Sequence, residues 1–495
     1  MSTINVPTLP GVPVPALMRP LTFRPALAEC HRRRWGRVLW RVCRLGSGLP
    51  TGSIVLLLGV TAVLSGCSDL TAGAGLPAGT PDPSFYNNAN GALELHNAAI
   101  LRFIGAWTSY ESDSGLLTDE LEDQSTGLLS PGQILQNAGQ ITDSLDERIL
   151  PPGTTGGIGT YGLLQEVRGD ANNALGALAT YDTVGGSVTP AANLLRGELY
   201  ALEGYAEILL ADLYCSGVPL STLDFQKDFT YHAGSTTGQV YRDAIFKFDS
   251  ALTLGSASDS VVNLAKVGQG RANLDLGNFA AAADDVSSVP TSFNYTFIQA
   301  TASVAALGRA ALNLADNKGT NGLPFRSSGD PRSAPDTFVV LNTSASGVTI
   351  WTTKKYNESP DPFIVASGVE ARLIEAEAAL QANQPTTWLA DLNALRTTVP
   401  GLLPIMDPVD PTARVDTMFT ERAEWLWLTG HRQGDLRRLL REPYVSNPGF
   451  TQGDVYPTGT YLAEGAGEFG NSVVVPIPLT EFNNPLYQGC KQYVN

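Results

Sequence analysis

Glu421-Arg-Ala-Glu-Trp-Leu-Trp-Leu-Thr-Gly-His-Arg-Gln-Gly-Asp-Leu-Arg-Arg-Leu-Leu440 holds four arginines, three acids and two tryptophans in twenty residues. Its first half reads as a helix running on from Arg414. Val415, Met418, Phe419, Arg422 and Leu426 recur at three- and four-residue spacing and make one core-facing stripe. Gly430 is expected to end that helix. After His431 a second, short helix carries Asp435, Arg437 and Arg438 on one side and Leu436, Leu439 and Leu440 on another. Guanidinium forks hold carboxylates in fixed geometry. Glu421, Arg422, Glu424, Arg432, Asp435, Arg437 and Arg438 therefore predict a charge network folded against an apolar body. Its role is structural rather than catalytic, since such networks mainly fix geometry, and Trp425 and Trp427 are assigned to the same structural role.

Other helices follow from periodicity. Leu93, His96, Ala99, Ile100, Phe103, Ile104 and Trp107 give an amphipathic helix over 91–110, with a solvated acidic loop at 111–123 after it. That loop has carboxylates for a hard cation but lacks the D-x-D-x-D-G spacing, so no metal is assigned. Helical patterns cover 131–149, 159–181, 191–216 and 236–253. Two pairs come next, 261–276 with 279–289 and 366–382 with 386–397. The turn Leu276-Gly-Asn-Phe279 with Ala282 and Ala283 has the glycine, aromatic, alanine rhythm of tetratricopeptide repeats. Few and irregular repeats predict helix pairs with insertions folded onto one side rather than a continuous solenoid. Thr337–Leu341 and Gly347–Thr353 read as short strands of a hairpin, and Val473–Leu479 as an extended segment.

Composition is that of a globular protein, with 43% hydrophobic and 16% charged residues among 495. The 66 residues before Cys67 contain eight arginines and one glutamate, a charge of +7, which leaves −23 of the total −16 on the remainder. So acidic a body lacks the clustered cations that nucleic acid or an anionic membrane surface requires. A basic stretch around His31-Arg-Arg-Arg34 precedes the apolar run Ile54–Leu64. Eleven residues fall short of the about 20 that span a bilayer, so a secretory signal is expected. Met18 offers an alternative start. Residues 67–84 read as a flexible tether and 85–495 as one domain, with an N-terminal helical part to 300 and a C-terminal part beyond it.

Leu64-Ser-Gly-Cys67 resembles the bacterial lipoprotein cleavage box, in which Cys67 is lipidated. Ser68 after it, in place of Asp, is compatible with sorting to the outer membrane. Cys30 and Cys43 leave with the signal. Cys215 and Cys490 remain, either bridged or as two buried thiols. No Cys or His spacing suggests zinc.

Glu421-Arg-x-Glu424 with Gly430-His-Arg-x-x-Asp-Leu-Arg-Arg438 resembles the C-terminal signature of the SusD/RagB family of outer-membrane nutrient-binding lipoproteins. The Gly-x-Pro exit in Asp212–Leu220, the helix Ala390-Asp-Leu-Asn-Ala-Leu-Arg396 and the closing Pro476-Ile-Pro…Glu481…Asn484-Pro485 resemble further family segments. Together with the lipid box they cover most of residues 67–495. The resemblance implies a mainly α, SusD-like fold of tetratricopeptide-like helix pairs in a curved scaffold with long loop insertions and a few short strands. It also implies a non-catalytic lipoprotein, anchored in the outer membrane and facing the exterior, with no cofactor. Such a protein binds oligosaccharides or other small nutrients and delivers them to a SusC-like TonB-dependent transporter.

Aromatic faces stack on sugar rings, so exposed Trp and Tyr are the residue types to look for. Trp107, Tyr110 and Asp113 at the end of the first helix, with Trp351 and Tyr356 from the hairpin, are the candidates. Trp107 shares a stripe with Phe103 and Ile104, which is equally a core pattern. Two other readings stand beside this one, a lipid-anchored scaffold for envelope proteins and a glycoside hydrolase using two carboxylates. Gly465–Gly470 fits GxGxxG, but it runs into an extended segment rather than a helix, so no dinucleotide site is assigned.

Overall fold

The computed structural model describes residues 86–123, 144–150, 158–223, 225, 229–298, 312–341, 347–355, 362–441, 450–461 and 467–490. Eight helices pack each on the next in chain order. They are α1 (Ala89–Leu117), α2 (Ile158–Tyr181), α3 (Pro190–Leu213), α4 (Thr237–Leu254), α5 (Asp259–Asp275), α6 (Phe279–Val286), α7 (Gly368–Gln381) and α8 (Pro385–Arg396). Local chemistry starts them where they start. Thr189 caps α3 ahead of Pro190, Thr236 and Gln239 form a capping box on α4, and Ser258 and Ser367 cap α5 and α7.

From Ala201 to Leu213 helix α3 is buried on every side, which makes it the central element. The pair α5 and α6 meets closely because Gly270 has no side chain. A Cβ there would sit 2.4 Å from Cγ1 of Val286. The insertion of residues 287–367 leaves α7 packed back on α6. The run of neighbouring helices is thus more continuous than the irregular sequence spacing implied.

The strands pair in twos. Among the described residues β1 (Leu121–Asp123) pairs with β9 (Leu312–Leu314), and β10 (Pro335–Leu341) with β11 (Gly347–Thr353) as an antiparallel hairpin. β12 (Pro362–Ser367) pairs with β8 (Asn294–Ile298). Short pairs are β2 (Thr183–Val184) with β3 (Ser187–Val188), and β4 (Val218–Pro219) with β7 (Gly234–Ser235). Further ones join β5 (Thr222–Leu223) to β6 (Phe229–Thr230), and β13 (Thr460–Tyr461) to β14 (Gly467–Glu468). The architecture is mainly α with small sheets.

The charged stretch folds as α9 (Pro411–Trp425) and α10 (Arg432–Arg441). Helix α9 stops at Trp425, five residues before the expected break at Gly430. Leu428 and Gly430 both turn left-handed, at φ 51° and 74°, and the Leu428 N–H leaves the helical ladder to donate to Glu120 Oε1 at 2.8 Å. The chain re-enters as α10 with its charges inside. Arg422 donates twice to Asp435, and Arg438 donates to Glu377, Asp275 and Asp435. Arg437 reaches the carbonyls of Ala211, Asp212 and Tyr214 at the end of α3. Glu421 accepts from Arg332 and Arg396. Burial pushes the Glu424 carboxyl up to about 7, against a hydrogen bond from Ser333. Trp427 is fully buried and stacks on Phe325 at 6.0 Å, while Trp425 is half-buried under the Arg332 guanidinium.

Helix α1 corrects the expected acidic loop at its start, since it continues to Leu117. Trp107 Nε1 donates to Glu111 Oε1 at 2.8 Å, and burial keeps that carboxyl protonated to about pH 8, so the acid enters the core as a neutral group. Residues 131–143 of the expected helix 131–149 lie outside the described residues. No helix among the described residues is long and apolar enough to cross a membrane.

Candidate functional site

The aromatic candidates from sequence do not gather. Trp107 is fully buried among Phe103, Tyr205 and Phe363, with ring centroids 5.7, 6.5 and 6.0 Å away. Tyr110 is fully buried one turn on. Both are corrected to core residues, because the stripe that suggested a site is the face α1 turns inward. Asp113 accepts from Thr160 Oγ1 at 2.6 Å, and burial pushes its carboxyl up to about 6. Trp351 lies half-buried on β11 with the Arg326 guanidinium 5.1 Å over its ring. Tyr356 lies outside the described residues.

A groove of about 110 Å³ forms elsewhere, where three segments meet. Its floor is α2, at Gln165 and Gly169, and one wall is the double hairpin that follows α3. Pairing fixes that wall. Val218 opposes Ser235 and Pro219 opposes Gly234, and inside them Leu223 opposes Phe229. Phe229 opens β6 opposite Leu223, and Tyr231 follows directly after that strand, two residues on. All three line the groove and stay 51%, 45% and 42% exposed, respectively. The two rings meet edge to face at 4.9 Å. Gly169 has no neighbour within 4 Å of where a Cβ would stand, so the floor is open there.

The other wall is Glu481, in the 3-10 turn Leu479–Asn483. Tyr161 donates to its Oε1 at 3.0 Å, and burial raises its carboxyl above the usual range against that bond. The frame behind is tied down. Gln165 Nε2 donates to the Pro219 carbonyl at 2.9 Å, and Arg168 donates to Gln165 Oε1, the Ser221 carbonyl and Glu207. Asn484 Nδ2 donates to the His232 carbonyl at 2.9 Å, joining the turn to the connection that carries Tyr231. Cys215, just past α3, is bonded to Cys490, with Cα atoms 5.7 Å apart, which anchors the whole C-terminal segment. Beside the groove Phe482 and Tyr487 form a second edge-to-face pair at 5.4 Å, with Phe482 64% exposed.

Exposed rings beside a few fixed polar groups suit a ligand with both apolar faces and hydroxyls, as a sugar has. Glu481 is the one carboxylate among the described groove-lining residues. Among the described residues no group of His, Cys, Asp or Glu is arranged to hold a metal ion. Sequence reading missed Phe229, Tyr231, Leu223, Gln165, Ser221 and Glu481. The alternation Phe229-Thr-Tyr231 was the available signal.

No family model matches the sequence, and no curated protein matches it. Solved structures do match in three dimensions. A SusD superfamily protein from Parabacteroides distasonis aligns with a TM-score of 0.59 at 13% identity, over 82% of this chain and 99% of its own. A SusD superfamily protein from Bacteroides vulgatus aligns at 0.58 and 16% identity, over 83% and 100%. Surface glycan-binding protein A from Bacteroides uniformis aligns at 0.58 and 14% identity, over 80% and 99%. Alignment over nearly the full length of each, with the same mainly helical architecture, establishes that this chain has the SusD-like fold.

Proposed function

We propose that this protein is a non-catalytic glycan-binding lipoprotein, held at the outer membrane by an acylated Cys67, that passes oligosaccharides to a SusC-like TonB-dependent transporter. The observation that carries the binding part is the groove between Phe229, Tyr231 and Glu481. Two exposed, mutually braced rings offer C–H stacking surfaces at little entropic cost, and Ser221 and Glu481 supply polar groups beside them. A fold shared with a named surface glycan-binding protein supports the same reading. The lipid anchor and the transporter rest on the sequence resemblance, with the lipid box at Leu64–Cys67 as its most specific element.

Two measurements test it. A panel of oligosaccharides titrated calorimetrically into the protein should include binders whose affinity falls at least about tenfold, about 1.4 kcal/mol, in Phe229→Ala and Tyr231→Ala variants. The tagged, membrane-extracted protein should recover a TonB-dependent barrel in near-equal amount. Binding that ignores both ring deletions removes the groove from the reading, and recovery of no barrel removes the transporter.

A further inference from the structure

Glu481 stands in the groove wall and makes no ion pair among the described residues. Several other acids of the fold carry a cation, as Asp119 has Arg432, Glu203 has Lys247, and Glu421 has Arg332 and Arg396, whereas Glu111 and Asp113 are held by neutral donors. Glu481 has a tyrosine hydroxyl on Oε1, and its Oε2 makes no hydrogen bond among the described residues. The same groove presents the rings of Phe229 and Tyr231.

We propose that the groove takes the primary ammonium group of an amino sugar, so that its ligands are oligosaccharides with unacetylated 2-amino residues. This rests on the glycan reading above and narrows it. An ammonium meets each feature of the wall. It gives the Glu481 carboxylate a charge-assisted hydrogen bond. It is attracted to the negative faces of the two rings. The charge of −23 beyond residue 66 draws cationic ligands toward the surface. A hydroxyl in the same place gains less, an acetamide brings no charge, and a uronate or sulfate is repelled. A sugar fits better than a lysine peptide, because β5 and β6 are two residues each and leave no edge along which a peptide backbone could pair.

The test titrates the purified protein with glucosamine tetramer, its fully N-acetylated counterpart, a glucose tetramer and a lysine-containing tetrapeptide. The glucosamine tetramer should bind at least about tenfold tighter than the acetylated one. Glu481→Gln should abolish that preference, and Phe229→Ala should weaken the glucosamine tetramer. Equal affinity for the two tetramers in the wild-type protein overturns the inference without reference to any variant. So does a preference that survives Glu481→Gln, or binding of the peptide in place of the glucosamine tetramer. If the neutral glucose tetramer binds through Phe229 with no amine preference, the glycan reading stands and this inference falls. If no oligosaccharide binds, both fall.

Discussion

Arg432 holds Asp119 through two parallel hydrogen bonds, 2.7 Å from Nε to Oδ1 and 2.8 Å from Nη2 to Oδ2, across 313 residues of chain. Both side chains are buried. The bond joins the start of α10 to the residues just after α1, beside the bond from the Leu428 N–H to Glu120.

Breaking such a pair leaves a buried charge with no partner, which costs far more than the pair contributes. Arg432→Met is therefore expected to destabilise the fold by about 3–5 kcal/mol in denaturant unfolding. Adding Asp119→Leu should recover a large part of that loss, since no charge then stays unpaired. A double variant as unstable as the single one would mean that Arg432 contributes through its packing rather than its charge.

Glu111 predicts an opposite pH response from that of the paired acids. Burial raises its carboxyl to about 8, above the about 4.3 of an unfolded glutamate. A raised folded value means that the neutral acid is preferred in the fold. Its contribution is complete below about pH 4 and is lost as pH rises through about 8. Glu111→Gln keeps an acceptor for the Trp107 indole and cannot ionise. The wild-type Tm should fall more steeply than the variant's between about pH 5 and about pH 8. Parallel curves would show that Glu111 is already ionised in the fold. Glu370 works the other way. Burial alone would raise it, but Arg271 and His431 bring it down to about 2, so its contribution disappears as acid is added.

Helices α2 to α8 were legible because their apolar stripes and caps are local, each read within a window of about 18 residues. The signature stretch was legible as a network for a similar reason, since arginine at that density needs carboxylates. Its partners Glu377, Asp275 and Asp119 were not, because they come from α7, α5 and the residues just after α1. The groove was the least legible part. Gln165, Phe229 and Glu481 lie in segments that only the fold assembles, and Phe229 and Tyr231 sit among polar residues that read as loop. Trp107 misled because an inward stripe and a ligand-facing one have the same spacing. Glu111 and Asp113 read as solvated loop because a buried neutral acid has no sequence mark.

Val409 offers a gain in stability. It is 71% exposed and adopts φ 70°, which a β-branched residue disfavours. Asp407 holds it there, accepting from the Val409 N–H at 2.9 Å while gripped by Arg414. Left-handed strain of about 1–3 kcal/mol exceeds the about 0.5–1 kcal/mol of extra chain entropy that glycine loses on folding. Val409→Gly should therefore raise Tm by about 1–2 °C. A lower Tm would mean that the valine side chain contributes more than its backbone costs.

The disulfide links stability to the groove. Cys215 and Cys490 close a loop of 275 residues, and Cys490 lies nine residues beyond Glu481. Replacing both by alanine removes a constraint worth about 2–5 kcal/mol. It also releases the segment that carries Glu481 and Asn484, where the bonds to Tyr161 and His232 and the packing of Tyr487 still act. Amide hydrogen exchange should then speed up most over residues 479–490, while α3 keeps its protection. Ligand affinity should fall with it, because one wall of the groove has loosened against the other. Faster exchange with unchanged affinity would show that Glu481 does not contribute to binding, and unchanged exchange would show that the hydrogen bonds and packing hold the segment in place.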